Sequence, residues 1–473
     1  MSFVPAVQVA SDSLPRQPNT QLEHLPGPKG HWYFGNLRAL LPDPADFLIE
    51  MRARYGDCFT VGVLFNRRVV VLAGPVANRL VLLDAERNFS TRMGWEVILD
   101  FFGGFLMLRD FEDHRMHRRL LTGLFKPDAL RRYLASMQPI IRRTVSSLDG
   151  EPDAYPLARR LALDIGLQVF ADIEPTPGNE AVYRDNMRVI DGVMGSRIPI
   201  PGTRRWRALR ARDRLRARLL AEVPKRRNRP GKDMFSQLAC FEDAEGRLLA
   251  DRDIVGHMMG MLFAAHETTA SAMTMMMYSL ARHRDWQQRV RAEVLAAASD
   301  DSPGVDQLGD MPIADAVLRE TLRLYSPVQL LPRRNVRAFD FLDNHIPANS
   351  HIFLSPQMCH RDPELFERPE MFRPERFLPQ GAESRADPFS FIPFGKGSHM
   401  CLGMHFAMLA VKAFFVQLLR ARDLSLAEKR APVIRYMPTL RPTHRLPLRF
   451  DPIRADTASN RSMNRSSASD NTG

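Results

Sequence analysis

The sequence predicts a mostly α-helical protein with a small β-sheet region. Long stretches carry apolar residues at three- and four-residue spacing, which places them on one face of a helix. Strand-like runs are few and short. The chain has 473 residues, of which 45% are hydrophobic and 25% charged, so it is long enough to bury a substantial core. We therefore expect a helical globular domain that carries only a minor sheet.

The N-terminal third of the sequence begins with a segment that has no helical or strand pattern, and two strand-like runs follow it. Residues 1–25 are polar, and a Pro/Gly-rich segment, LPGPKGHWYFGN, follows them. The runs CFTVGVL and RRVVVLAG, within 58–74, predict two antiparallel strands. At the other end, residues 453–473 are rich in Ser and Asn and poor in apolar residues. We expect a flexible tail over 1–25, one domain over 26–452 and a disordered tail over 453–473.

Helical spacing recurs in eight segments between these tails. They cover residues 113–124, 129–148, 157–172, 205–224, 251–281, 284–298, 312–325 and 403–422. The runs HIFLSPQ and LPLRF, within 351–357 and 446–450, are the remaining strand candidates. The most apolar long segment, 254–281, contains polar residues near its middle, which favours a buried helix over a membrane span.

Cysteine usage and the N-terminal sequence indicate a reducing compartment. The cysteines, Cys58, Cys240, Cys359 and Cys401, lie far apart without the pairwise spacing of a zinc module or a disulfide framework. Neither a signal peptide nor a transmembrane segment is visible at the N-terminus. We therefore expect a cytoplasmic location.

The net charge of +12 is concentrated in residues 204–232, where Lys and Arg far outnumber Asp213 and Glu222. A solvated helix face is the favoured explanation. Peripheral membrane contact through Trp206 and Leu209 is the second. Nucleic-acid binding is the least favoured, because no aromatic platform or recognition module accompanies the charge. We expect no nucleic-acid partner.

One cysteine lies in an unusual loop, FGKGSHMCLG, at residues 394–403. Gly395 and Gly397 permit backbone conformations and close approaches that a Cβ would block. Because a strong helical pattern follows Gly403, Cys401 is placed at a helix N-terminus, where a thiolate is stabilised. The residues alone leave three possibilities for Cys401, namely a nucleophile, a metal ligand or a buried structural cysteine.

The order Phe-Gly-x-Gly-x-His-x-Cys-x-Gly resembles the haem-binding signature of the cytochrome P450 family at every fixed position. The resemblance implies haem b, with Cys401 as the axial thiolate and metal ligand. It also implies that Phe394, Gly395 and His399 contact the cofactor. The implied fold is a triangular prism that holds haem between a distal helix, around 254–281, and a proximal helix after Cys401.

A second motif, AAHETT at 264–269, resembles the acid and alcohol pair of the family's distal helix. The resemblance implies that Glu267 and Thr268 are catalytic and deliver protons. Thr268 is expected to offer its hydroxyl to a backbone carbonyl and open the helix locally. Two threonines on a buried helix face are otherwise ordinary, and Thr269 is the alternative to Thr268.

A third motif pairs Glu320 with Arg323, three residues apart on a helix. Such a pair on a surface has little energetic consequence. In the family this pair is buried and joined by an arginine from a Pro-Glu-Arg-Phe stretch, which is Arg376 here. The implied role of the three residues is folding and haem retention.

The resemblance also implies basic partners for the two haem propionates. In DHRMHRR, His114 and Arg118 lie four apart on one helical face. Arg333 and His399 complete the implied set. Arg334 and Arg115 are expected to face solvent.

Together these motifs imply a monooxygenase that inserts one atom of O2 into a C–H bond of a lipophilic molecule. The implied electron source is NAD(P)H through a separate ferredoxin- or flavodoxin-type donor. The chain resembles the branch that oxidises sterols, retinoids and terpenoids, so a terpenoid, steroid or fatty-acyl substrate is expected. Candidate cavity residues are those of 93–108, Met261, Leu262, Ala265, Val328, Leu330 and Leu331. The alternative is a non-catalytic haem-thiolate protein that binds a lipid or a gas.

Overall fold

The computed structural model of the chain describes residues 19–193, 200–243, 245–297, 302–381 and 387–453. Its helices are α1 Leu37–Leu40, α2 Pro44–Tyr55, α3 Gly74–Leu83, α4 Thr91–Gly94, α5 Leu99–Phe102, α6 Phe111–Thr122, α7 Pro127–Ser146, α8 Ala154–Ala171, α9 Glu180–Gly192, α10 Arg204–Asn228, α11 Met234–Ala239, α12 Asp251–Arg282, α13 Arg284–Ala297, α14 Val305–Gly309, α15 Pro312–Leu324, α16 Pro356–His360 and α17 Met404–Ala421. The eight predicted helices are confirmed within a few residues at each end.

The strands are short. They are β1 Cys58–Gly62, β2 Arg68–Leu72, β3 Phe89–Ser90, β4 Leu331–Asn335, β5 Phe339–Phe341, β6 Asn344–Ile346, β7 His351–Leu354, β8 Arg422–Leu426, β9 Ile434–Arg435, β10 Arg441–Pro442 and β11 Leu448–Pro452. Five of them form one sheet in the order β1-β2-β7-β4-β3, and the other six form two-stranded ribbons. The predicted hairpin is the antiparallel pair β1–β2, in which Cys58 lies opposite Leu72.

The long helix α12 forms the centre of the helical part. Nearly every residue from Ile254 to Ala281 is buried, and the helix packs along α8 on one side and against α15 and α17 on others. A helix that is apolar on all faces has to lie in a core. The polar residues near its middle are therefore forced to find partners inside the protein.

The structured part of the chain begins earlier than predicted. Leu22 and Leu25 are both 2% exposed and pack in the core beside the sheet. The predicted tail over 1–25 is therefore several residues too long. Residues 1–18 and 454–473 lie outside the described part of the chain, as do the expectations made for them.

Helix α10 makes up most of the basic segment 204–232, and several of its arginines have acidic partners. Arg205 pairs with Asp100, and Arg214 pairs with Asp185 at 2.5 Å. Arg226 pairs with Asp233 at 2.6 Å. Part of the charge of this segment therefore ties α10 to its neighbours.

Within the described ranges, α17 has the length and apolar composition of a membrane span, although 67% of it is buried inside the fold. A core helix of this kind meets the same criteria.

Candidate active site

A large internal cavity, about 810 Å³ in volume, lies between α12 and the cysteine loop. The structure brings every predicted site residue to its wall. These residues are His114, Arg118, Glu267, Thr268, Arg333, Phe394, Gly395, His399 and Cys401. They come from α6, α12, β4 and the loop before α17, so chain segments up to about three hundred residues apart meet at one site.

The cysteine loop depends on its glycines. Gly395 and Gly397 have φ values of +66° and +68°, a region that favours glycine. A Cβ on Gly397 would lie 1.8 Å from the carbonyl oxygen of Leu82, whereas a Cβ on Gly395 would meet nothing within 4 Å. Gly395 therefore leaves open space at the cavity wall, where a flat ligand can approach the backbone.

The loop directs the cysteine into the cavity. The amide N–H of Cys401 donates to the carbonyl of Phe394 at 2.9 Å, which closes the loop immediately before α17. The Cys401 side chain is exposed to the cavity, although protein surrounds it. Burial raises the pKa of the thiol, while the N–H of Gly403 and the guanidinium of Arg118 lower it. A positively charged metal centre bound to the sulfur would complete its conversion to a thiolate.

Four basic side chains converge on one part of the cavity wall. The rings of His114 and His399 stack with centroids 3.8 Å apart. Nη1 of Arg118 donates to the carbonyl of Met400 at 2.8 Å. Arg333 is 6% exposed, and its Nη1 donates to the carbonyl of Pro332 at 2.9 Å.

Burial shifts the pKa values of these basic groups. Burial lowers the pKa of Arg333 to about 10, although Asp110 and Asp84 act in the opposite direction. Burial likewise lowers the pKa of His399 to about 2 and that of His114 to about 4. The two histidines are therefore neutral near pH 7 and can donate an N–H, whereas Arg118 and Arg333 remain cations, and cations removed from water are normally paired with anions. Two carboxylates placed here would satisfy them, so the site fits the two propionates of a haem.

Arg334 differs from its prediction. It is 4% exposed rather than solvent-facing, and its Nε donates to the carbonyl of Asn349 at 3.2 Å. Because side chains alternate along a strand, Arg333 and Arg334 point to opposite faces of β4, and only Arg333 lines the cavity. Arg115 is exposed, as predicted.

The apolar part of the cavity is mostly where the sequence placed it. Trp95, Ile98, Phe105, Leu106 and Met107 line the cavity from the predicted segment 93–108, and Met261, Ala265, Val328 and Leu331 line it from later elements. Two predictions were wrong. Leu262 lines a separate cavity of about 340 Å³, and Leu330 packs in the core beside β1 and β2.

The Glu320 motif forms the predicted buried network. Glu320 and Arg323 are both fully buried and make two hydrogen bonds, at 2.8 and 2.9 Å. Nε of Arg376 lies 3.4 Å from Oε1 of Glu320. Arg323 also donates to the carbonyl of His360 at 2.6 Å. The network therefore ties α15 to the chain that leads into the cysteine loop.

On α12, Thr268 makes the contact predicted for it. Its hydroxyl donates to the carbonyl of Ala264 at 2.7 Å and lines the cavity. Thr269 also lines the cavity, and its side chain is almost fully buried. The two threonines are distinguished by this hydrogen bond, which leaves the Thr268 oxygen free to accept one from a ligand.

Glu267 is held in a network that sequence reasoning missed. Its carboxylate accepts hydrogen bonds from Tyr155 Oη and Arg159 Nε, each at 2.6 Å. Nη2 of Arg159 also pairs with Asp191 at 2.7 Å. Arg159 therefore links the acid on α12 to the C-terminal end of α9. Tyr155 and Arg159 lie four apart on α8, but no local pattern shows which helix that face meets.

This network keeps Glu267 ionised. Burial alone raises the pKa of Glu267, but His266, Arg159 and Tyr155 outweigh burial and lower it. His266 itself is buried, which lowers its pKa to about 4. The acid on the distal helix is therefore a carboxylate that has to exchange partners before it accepts or passes a proton.

Cys401 thus lines the same cavity as the acid and the threonine of α12, an arrangement that fits a haem-thiolate oxygenase. The chain belongs to the cytochrome P450 family, whose model matches residues 25–164 and 197–450. "Putative cytochrome P450 136" of Mycobacterium tuberculosis is 34% identical over 424 residues, which cover 87% of this chain and 85% of the relative. "Putative cytochrome P450 120" of Synechocystis is 30% identical over 422 residues, which cover 86% of this chain and 93% of the relative.

Solved structures show the same fold. The retinoic acid-bound cyanobacterial CYP120A1 superposes with a TM-score of 0.84 at 28% identity, over 91% of this chain and 100% of that chain. The haem domain of cytochrome P450DA superposes with a TM-score of 0.81 at 21% identity, over 91% of this chain and 97% of that chain. At this identity the likeness shows the fold alone. The protein is thus a haem b-dependent monooxygenase of the cytochrome P450 fold.

Proposed function

We propose that this enzyme hydroxylates a C–H bond of a lipophilic small molecule of terpenoid, steroid or fatty-acyl type. The observation that carries the proposal is the cavity, in which an apolar wall from the 93–108 segment and α12 lies together with Cys401 and Thr268. An apolar guest fits such a wall because its burial is favourable. A relative named taxane 13-alpha-hydroxylase, from Taxus cuspidata, is 27% identical over 398 residues, which cover 80% of each chain.

We propose residue roles from the same geometry. Cys401 binds the iron, Phe394 packs beside the sulfur, and Gly395 lets the cofactor approach the loop. His114, Arg118, Arg333 and His399 hold the propionates. The bound haem supplies oxygen activation and C–H hydroxylation chemistry.

Thr268 and Glu267 are proposed to deliver protons in sequence. The Thr268 hydroxyl is anchored on the Ala264 carbonyl, so its oxygen keeps a fixed position in the cavity and can order a water there. Glu267 directly precedes Thr268 on the helix. Its carboxylate could accept a proton once the hydrogen bond from Arg159 or Tyr155 is broken.

The proposed electron donor is a separate ferredoxin- or flavodoxin-type protein that receives electrons from NAD(P)H. Helix α6 contacts the cysteine loop through Arg118 and Met400. Its outer face presents exposed Arg115, which pairs with Glu112 at 3.5 Å, and exposed Arg119, and exposed Lys126 follows the helix. Acidic donors would be attracted to a positive face of this kind.

A cytoplasmic location is part of the proposal, supported by the free state of the four cysteines. Peripheral membrane contact through residues 204–232 remains a prediction, for which the exposed arginines of α10 are the supporting feature.

The test is turnover with a surrogate donor under labelled oxygen. Haem-loaded enzyme, NADPH and a ferredoxin–reductase pair are incubated with a panel of neutral and acidic terpenoids, steroids and fatty acids under 18O2. A product that gains one 18O atom, with Cys401→Ala inactive, is the expected result. If no member of the panel shifts the Soret band or yields a labelled product, the proposed substrate class is wrong.

A further inference from the structure

The cavity has a second charged region, away from the proposed propionate site. Five arginines line it, namely Arg188, Arg204, Arg207, Arg435 and Arg441. They lie on α9, α10 and the β9–β10 ribbon, and none of these elements carries a proposed haem contact. Four of the five are exposed and Arg441 is half-buried, so this region includes the opening of the cavity to solvent.

Two of these arginines are direct cross-strand partners. Arg441 of β10 lies opposite Arg435 of β9 in the antiparallel ribbon. Their side chains therefore leave the ribbon on the same face, a few ångströms apart. Like charges in directly opposite positions are destabilising. An anion bound between the two guanidinium groups would attract both of them and so offset their mutual repulsion.

The acids in this region are bound more closely by Arg159 than by Arg441. Oε2 of Glu267 lies 4.0 Å from Nη1 of Arg441, whereas Arg159 holds the same carboxylate at 2.6 Å. Asp191 is also paired with Arg159, at 2.7 Å. Across the ranges that the structure describes, the Arg435 guanidinium has no hydrogen-bond or ion-pair partner. The cavity opening therefore carries more guanidinium than carboxylate charge.

We propose that the substrate has an anionic end, a carboxylate or a sulfate, which Arg435 and Arg441 bind while the apolar body extends toward α12. Guanidinium groups match such oxyanions with paired, charge-assisted hydrogen bonds. The exposed Arg204 and Arg207 raise the local concentration of an anionic ligand at the opening. This inference rests on the proposed function, because it specifies the substrate of the same cavity.

The experiment compares ligands that share one skeleton and differ only in the charged end. Affinities of the haem-loaded protein are measured by Soret shift for retinoic acid and retinol, palmitic acid and hexadecanol, and dehydroepiandrosterone sulfate and dehydroepiandrosterone. We expect at least one anionic member to bind about tenfold or more tightly than its neutral partner, a preference that added salt weakens. The pair that shows it identifies the head group as carboxylate or sulfate.

Arg435→Gln is the diagnostic variant, because Arg435 contacts no proposed catalytic residue. This variant should reduce the preference for the anionic ligand over the neutral ligand to less than about threefold. The affinity of the neutral ligand should stay unchanged. Arg441→Gln should act in the same direction. Arg445→Gln is the matched control, since Arg445 is exposed near the same ribbon but does not line the cavity.

Two outcomes would overturn the inference. One is that no anionic ligand is preferred to its neutral partner, which includes the case in which none binds. The other is that Arg445→Gln reduces the preference as much as Arg435→Gln does. If neutral ligands bind and are hydroxylated without any anion preference, the inference fails while the proposed function stands.

Discussion

Single residues in the cysteine loop determine whether a flat cofactor can reach the sulfur. Gly397 combines a φ of +68° with a position at which a Cβ would overlap the Leu82 carbonyl. Gly395 has a similar φ but open space before it. One glycine therefore lets the loop pack against α3, and the other keeps the cavity wall thin. The sequence motif predicted both residues but not this division of roles.

At the same scale, the Thr268 hydroxyl provides a direct test of proton delivery. Thr268→Ala should fold, bind haem and bind substrate, because one hydroxyl is removed from a helix face lined by small residues. Product formed per NADPH consumed should fall about tenfold or more, with hydrogen peroxide released instead. The measurement compares product, peroxide and NADPH in the wild type and the variant with the same surrogate donor.

Thr269→Ala is the control for this experiment. Thr269 lines the cavity but does not make the hydrogen bond to Ala264. If Thr268→Ala formed as much product per NADPH consumed as the wild type, Thr268 would have no role in the mechanism. An equal loss in Thr269→Ala would show that the other threonine carries the role.

His360 predicts a pH dependence of stability. Its Nε2 accepts a hydrogen bond from the amide of Ile392 at 3.0 Å, and burial lowers its pKa from 6.5 to about 3. Below pH 6.5 the unfolded chain binds a proton that the folded protein excludes, so stability is complete above pH 6.5 and decreases toward pH 3. One such group contributes at most about 1.4 kcal/mol per pH unit.

His360→Gln should therefore lose less stability on acidification than the wild type does, although it starts from a lower melting temperature. Melting temperatures of the haem-loaded proteins between about pH 7 and pH 4 test this difference in slope. His444→Gln serves as the control, because His444 is exposed. Parallel curves for the wild type and His360→Gln would show that His360 does not contribute.

At the scale of elements, the Glu320 network connects α15 to the segment that precedes the cysteine loop. Glu320→Ala should leave Arg323 and Arg376 buried without their acid, which typically costs about 3–5 kcal/mol. The purified variant should contain much less haem and melt at a lower temperature. Haem content per chain and thermal melting are the measurements.

Glu50→Ala provides the comparison for Glu320→Ala. Glu50 pairs with Arg54 on α2, where both side chains are more than half exposed, so its loss should have little effect. A Glu320→Ala protein with full haem occupancy and the melting temperature of the wild type would show that the network is dispensable.

Elements with strong periodicity were predictable, and contacts between distant elements were not. The eight long helices and the β1–β2 hairpin follow from local spacing, because burial selects one face of each. Among the helices of ten or more residues, α2, α3 and α9 were missed, and the shorter helices were not predicted either. The position of Arg334 and the contacts of Glu267 depend on strand pairing and helix packing, which no single segment specifies. Motifs therefore predicted residues that line the cavity, and packing determined their partners.

For the molecule as a whole, the proposed donor surface and the proposed substrate entrance lie on different elements. The cysteine loop contacts α6, which presents exposed Arg119, whereas the arginines of α9, α10 and the β9–β10 ribbon line the opening. Electron transfer and substrate binding would therefore occur at separate surfaces. A change on one surface should leave the function of the other intact.

Arg119→Glu tests this separation. Arg119 is exposed on α6, one residue from Arg118, and does not line the cavity. Reversing its charge should slow reduction by an acidic ferredoxin about tenfold at low salt, and the difference should shrink as salt screens the interaction. Stopped-flow reduction under carbon monoxide measures this rate.

Substrate affinity, measured by Soret shift, should stay unchanged in Arg119→Glu. The control variant Arg210→Glu, at an exposed position on α10, should not affect reduction. Equal rates for Arg119→Glu and the wild type would show that the donor binds elsewhere.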